Sequence, residues 1–264
     1  MDEITFLSRK ILDLNKQLIE SEKAKSRFLS LIANELNNPM TALLGMIPHL
    51  APPVGDVREA IFDLAHEEAL LLDSRIQNLV AASEIESGNM DSTYALVDPK
   101  VLIKEALESF KYRIKNKNIT VKVESDLKVK IVSDPRKLYL ILKNVLANAC
   151  DYGDSGEMVY VDIARNDSNL IVTIKNQGTL PHIEYKAQIF TRFANGPQGD
   201  HGLGLGLSIA RELCERLGGT IDYDSQDSTV TFTMTFPLQT TLPDSQACGS
   251  NEFLFESFDD AIEL

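Results

Sequence analysis

The sequence predicts a long helical hairpin followed by an α+β sandwich, and three observations carry that expectation. Apolar residues recur at helical spacing through residues 4–86, interrupted by the stretch HLAPPVGD. From Tyr94 onward the pattern changes to short alternating runs such as ITVKVES and NLIVTIKN, which read as strands. Helical segments lie between these runs, the order expected of helices covering one face of a mixed sheet.

Residues 4–50 read as one helix. Leu7, Ile11, Leu14 and Leu18 are spaced four, three and four, and the register continues through Ser21, Lys25, Phe28 and Ile32. This is a heptad seam with a weak middle, and it predicts a coiled coil over residues 1–27 that runs into a bundle. A single amphipathic helix on a globular core is the alternative. The charged remainder (Lys10, Lys16, Glu20, Glu22, Lys23) leaves little else to bury. The tandem prolines of HLAPPVGD stop the helix, because proline lacks the amide hydrogen that helix continuation needs. Periodicity resumes over residues 57–86 through Ile61, Leu64, Ala65, Leu71, Leu72, Ile76, Leu79 and Val80, with Gly88 placed as a C-terminal cap. Residues 28–90 therefore form a hairpin. A hairpin cannot bury its own apolar face, so two copies are expected to pair into a four-helix bundle, which makes the chain a homodimer.

Residues 94–238 supply the second domain. Helices are expected over residues 99–115, 134–152 and 205–217, the last ending at Gly218 and Gly219. ITVKVES, LKVKIVS, EMVYVDIARN and NLIVTIKN read as strands, and TIDYDS with STVTFTMTFPL as a closing hairpin. Residues 239–264 form an acidic tail. From Thr240 onward it holds six acids (Asp244, Glu252, Glu256, Asp259, Asp260, Glu263) and no Lys or Arg. Its Phe253, Phe255, Phe258 and Ile262 alternate with acids, so a disordered end and a short docking helix both stay open.

A net charge of −13 argues against nonspecific binding to nucleic acid or to an anionic membrane. No apolar run approaches the ~18 residues of a membrane span. No signal-peptide pattern opens the chain, so a cytoplasmic location is expected. Cys150, Cys214 and Cys248 are far apart and lack metal spacing, which suits buried or idle thiols.

Five motifs carry chemistry. The first is FLSLIANELNNPM, where Asn34 precedes Glu35 and Asn38 before Pro39. The second is SDPRKLYLILKNVLANACDY, which places Asn144 and Asn148 four apart on one helix face. The third is NQGTLP, with Asn176 and Gly178. The fourth is IFTRF, with Phe190 and Phe193. The fifth is GLGLGL, where Gly202, Gly204 and Gly206 lead into a helix whose N-terminus favours anions.

With these motifs in this order, residues ~1–238 resemble the sensor histidine kinases of two-component systems. The hairpin is similar to the family's HisKA-like dimerisation and phosphoacceptor domain. The sandwich is similar to the Bergerat-type ATP-binding domain of the GHKL ATPases. The resemblance implies ATP and Mg²⁺ as cofactors and a response regulator receiver domain as partner. It implies Mg²⁺ on Asn148, with Asn144 lining the same cleft and Tyr152 flanking the nucleotide. It implies adenine recognition by Asn176 and Gly178, a lid anchored by Phe190 and Phe193, and phosphate contacts from Gly202, Gly204 and Gly206.

The sequence departs from the family pattern at three places. Asn34 stands at the phosphoacceptor position, where the family has a histidine. A carboxamide nitrogen is a negligible nucleophile, so phosphorylation there is not expected. Neither His49 nor His66 has the Glu-x-x-Asn-Pro setting, and His182 and His201 lie inside the ATP domain itself. Glu35 and Asn38 keep the arrangement implicated in dephosphorylating a response regulator, where the Asn would orient a water. Asp151 replaces the usual Lys or Arg and is expected to weaken ATP binding by like charge. In the third motif Asn176 replaces an aspartate but still offers a carbonyl oxygen to the adenine amino group, and the family's second glycine is missing. A docking pseudokinase that binds a response regulator or another kinase without phosphotransfer is the alternative reading. A serine kinase of the anti-sigma type is a third, opposed by the long hairpin.

Overall fold

A computed structural model describes residues 56–88, 90–125, 130–166, 168–178, 189–192 and 204–238, with isolated positions at 10, 40, 41, 43, 45 and 46. The expected coiled coil and first hairpin helix, apart from those isolated positions, and the acidic tail lie outside the described residues. The first long element, α1, spans Asp56–Ser87, the range expected for the second hairpin helix. It ends at Gly88, whose φ of +72° is open to glycine and costly for other residues. The Gly88 amide donates back to the Ile85 carbonyl at 3.3 Å.

The elements that follow are β1 (Ala95–Val97), α2 (Pro99–Glu108), α3 (Lys111–Asn116), β2 (Thr120–Ser125), β3 (Ile131–Ser133), α4 (Pro135–Tyr152), β4 (Met158–Arg165), β5 (Asn169–Gln177), α5 (Gly206–Arg216), β6 (Thr220–Gln226) and β7 (Thr229–Pro237). Five strands form a mixed sheet in the order β2-β4-β5-β7-β6, and β1 pairs with β3 in a separate antiparallel ribbon. β2 and β4 are parallel, and the other pairs are antiparallel. Period-two alternation decides which face is covered. Val172 and Ile174 on β5, with Phe232 and Met234 on β7, are fully buried, and the residues between them are not. Leu138, Ile141, Leu142 and Val145 of α4, with Ile209 and Leu213 of α5, complete that core.

Two helices begin at an Asp-Pro pair, a start signal in which the acid caps and the proline pre-sets φ. Asp98 accepts from the Lys100 amide at 2.9 Å, and Asp134 accepts from the Lys137 amide at 3.0 Å. Asp134 also accepts from the Thr93 amide at 3.0 Å and from the Lys137 ammonium at 3.1 Å, and both side chains are buried. One carboxylate thus caps α4, tethers the segment after α1 and neutralises a buried cation. Asp134→Ala is expected to lower stability by about 3 kcal/mol, read as a lower urea midpoint with an unchanged m-value. A midpoint matching the parent would remove this role.

Two expectations need correction. The helix expected over residues 99–115 is two helices. Phe110 leaves helical geometry at φ −113°, ψ 7°, and its ring is only 5% exposed. Burying the ring outweighs helix continuity. Of LKVKIVS, the described residues 130–133 hold β3, and its partner β1 carried no strand signal because three residues are too few for alternation to register. Cys150 and Cys214 are buried free thiols, and burial pushes Cys150 up to about 12 and Cys214 higher still. Among the described residues, no helix is long and apolar enough to cross a membrane.

Candidate functional site

α4 lies across the sheet with Asn144, Asn148, Asp151 and Tyr152 at successive turns of one face. These four residues line a cavity of about 510 Å³, inside the ~300–1,000 Å³ range of small-molecule sites. The turn entering α5 contributes Gly204 and Gly206, α3 contributes Arg113, and α1 closes one side. Gly204 adopts φ +61°, and a Cβ on Gly206 would sit 2.9 Å from Asn144 Oδ1. Glycine at these positions lets the backbone and α4 approach each other.

Among the described residues, two carboxamide oxygens are buried with no hydrogen-bond partner: Asn148 Oδ1 and Asn176 Oδ1. An unsatisfied buried acceptor costs ~1–3 kcal/mol, so each one asks for a donor or a cation. Asn148 lines the cavity and Asn176 does not. Asn176 is 2% exposed at the end of β5, behind Tyr152. Gly178 explains how close these parts lie. A Cβ on Gly178 would stand 2.1 Å from the Tyr152 carbonyl oxygen and 3.2 Å from Asn176 Nδ2. A neutral oxygen such as Asn148 Oδ1 suits a hard cation that already carries a polyanion, so the donor set fits Mg²⁺ held on a nucleotide.

The remaining expected residues divide. Phe190 packs against the core, with the Arg211 guanidinium 5.7 Å from its ring centre. Asn34, Glu35, Asn38, Phe193 and Gly202 lie outside the described residues. Half-buried Tyr152 has its hydroxyl pushed above the usual tyrosine range, first by burial and then by the Asp151 charge.

Asp151 requires a correction in physical terms. It forms an ion pair with Arg113, and the two side chains are 24% and 15% exposed. The expected like-charge effect on a phosphate is therefore countered at its source. Lys117 Nζ donates to the carbonyls of Cys150 at 3.1 Å and Gly153 at 3.3 Å, and also to that of Asp151, so it closes the C-terminus of α4.

α1 is fastened along the sandwich. His66 Nδ1 lies 3.1 Å from the Tyr112 hydroxyl, so this histidine packs on the second domain. Asn78 and Asn144 exchange two amide hydrogen bonds of 2.8 and 2.9 Å. Lys143 Nζ donates to Gln77 Oε1 at 2.9 Å, and burial holds its ammonium below the usual lysine range, with Asp73 opposing. Arg192 joins Glu86 of α1 to Glu212 of α5. Sequence reasoning did not find Asn78 or Arg113. A lone Asn within one helix and a lone Arg within another carry no local signal.

Residues 133–240 match the model of a family described as histidine kinase-, DNA gyrase B- and HSP90-like ATPases. Over 245 residues the chain is 24% identical to the sensor histidine kinase CssS of Bacillus subtilis strain 168, covering 89% of this chain and 52% of that protein. The chain spans about half the length of the curated relatives it matches. The Acinetobacter baumannii histidine kinase AdeS shares the fold with a TM-score of 0.56 at 22% identity, over 77% of this chain and 97% of that one. Histidine kinase ThkA, solved in complex with the response regulator protein TrrA, does so with a TM-score of 0.54 at 21% identity, over 83% and 64%. Residues 133–240 thus carry a domain of the histidine kinase-, DNA gyrase B- and HSP90-like ATPase type, and the wider stretch is similar to sensor histidine kinases.

Proposed function

We propose that this chain binds ATP with Mg²⁺ in the cavity between α4 and α5, as the core of a two-component kinase that does not phosphorylate its own position 34. The buried, unpartnered Oδ1 of Asn148 on the cavity wall carries this reading. Asn148 would hold the Mg²⁺, which neutralises and orients the phosphates when bound. Gly202, Gly204 and Gly206 would let backbone amides approach the phosphates at the start of α5. Asn144 would line the cleft, and Tyr152 would flank the nucleoside. Asn176 would accept from the adenine amino group next to Gly178, and Phe190 and Phe193 would anchor the loop between them and α5.

Asn34 offers no nucleophilic nitrogen, so the transfer step stops there. Glu35 and Asn38 can still orient a water toward an aspartyl phosphate on a response regulator. ThkA was solved with such a protein, and the same class of partner is proposed for this chain. Pairing of two copies through the hairpin is proposed on the unburied Phe62, Ile76 and Val80 of α1. The amide at position 34 also supports the second reading, a docking pseudokinase without phosphotransfer.

Incubation with γ-labelled ATP and Mg²⁺ separates the two. The Asn34→His variant is expected to take up label and the parent to take up none. If neither takes up label, the ATP site is inactive and the docking reading stands.

A further inference from the structure

We propose that Arg113, held in place by Asp151, is a phosphate-binding residue of this cavity for a nucleoside di- or triphosphate. The inference rests on the ATP-binding reading above and goes beyond its motifs, because Arg113 belongs to none of them.

A nucleotide polyphosphate brings several negative charges, and even with Mg²⁺ bound a net anion remains for the walls to offset. Among the described residues, the cations lining the cavity are Arg75, Arg113 and Lys117. Lys117 is committed to the carbonyls that end α4. Arg75 comes from α1 together with Glu67 and Glu68 on the same wall, so that helix adds net negative charge. Arg113 is the cation that the sandwich itself presents.

Its placement suits the task. The side chain is 15% exposed, which means that it is held against the wall and does not wave in solvent. Its guanidinium lies 5.7 Å from the Phe110 ring centre, and Phe110 is buried. Asp151 engages Nη1, and a guanidinium presents five donors in a rigid fork, so one anion fixes its orientation while a second is bound. Asp151 stands three residues after Asn148, one helical turn along the same face of α4. The fork is thereby anchored one turn from the proposed Mg²⁺ ligand. Asp151 then acts as a positioning residue, because its carboxylate orients the group that meets the phosphate.

The test is an NMR titration of the full chain with adenosine, ADP and ATP in the presence of Mg²⁺, for the parent and for Arg113→Gln. The parent is expected to bind ADP and ATP more tightly than adenosine. Arg113→Gln is expected to weaken ADP and ATP roughly ten- to hundredfold, the range of one charge-assisted hydrogen bond, and to leave adenosine unchanged. Arg113→Lys keeps the charge without the fork and is expected to lose less in the same order, which covers the case in which the Gln variant fails to fold. Equal affinity of variants and parent for ATP overturns the proposal. An equal loss for adenosine and ATP also overturns it, because that marks a structural role. A parent that binds none of the three ligands overturns the ATP reading itself.

Discussion

Asn148→Ala is expected to abolish Mg²⁺-dependent ATP binding while leaving the fold intact. The substitution removes a carboxamide whose oxygen no described protein group satisfies, so it relieves a buried unpaired acceptor in the apo protein. The ligand effect runs the other way. A nucleotide at a hundred times its Kd stabilises the native state by about 2.7 kcal/mol, and that gain should vanish in the variant. Thermal unfolding with and without Mg·ATP reads both quantities. The apo Tm should equal or exceed the parent's, and the nucleotide-induced rise should be absent. A retained rise would show that Asn148 does not hold the metal.

Gly178→Ala is expected to act on the fold itself, at about 3 kcal/mol or more. The added Cβ would meet the Tyr152 carbonyl oxygen at 2.1 Å and its carbon at 3.1 Å. Neither side can retreat. Tyr152 ends α4, and the Gly178 amide is fixed to the Ser228 carbonyl at 2.9 Å. The Asp154 amide donates to the Gln177 carbonyl at 2.8 Å and ties the two segments together again. Only backbone movement at the junction of α4 and β5 would admit the methyl group, and that movement would displace Asn176 as well. Denaturant unfolding should show the loss as a lower midpoint. A midpoint within ~0.5 kcal/mol of the parent would mean that the junction is softer than this packing implies.

Much of the sandwich was legible in local patterns. The starts of α2 and α4 were placed to within a residue, because helical periodicity begins at the Asp-Pro pairs that cap them. The alternation in β4, β5 and β7 was readable because each strand has one covered face. The glycines before α5 were readable because close backbone approach admits no other residue cheaply. Phe110 was misread because its helical periodicity is real locally, and the core that claims its ring is assembled from distant segments. β1 was missed because its ladder partner, β3, lies more than thirty residues further on.

The sequence by itself determined most of the order of elements, the family resemblance and the asparagine where an acceptor is expected, since these are properties of residue type and short-range spacing. It also placed Asn144 and Asn148 on one face, because helical periodicity alone does that. Only the tertiary structure decided what those groups meet. Asn78 reaches Asn144 across 66 residues, and Arg113 reaches Asp151 across 38. An acid read as a liability in isolation becomes the anchor of a cation once a second helix is packed beside it. Charge and hydrogen bonding act through space at a few ångströms, and the chain brings those partners together only by burying the core beneath them.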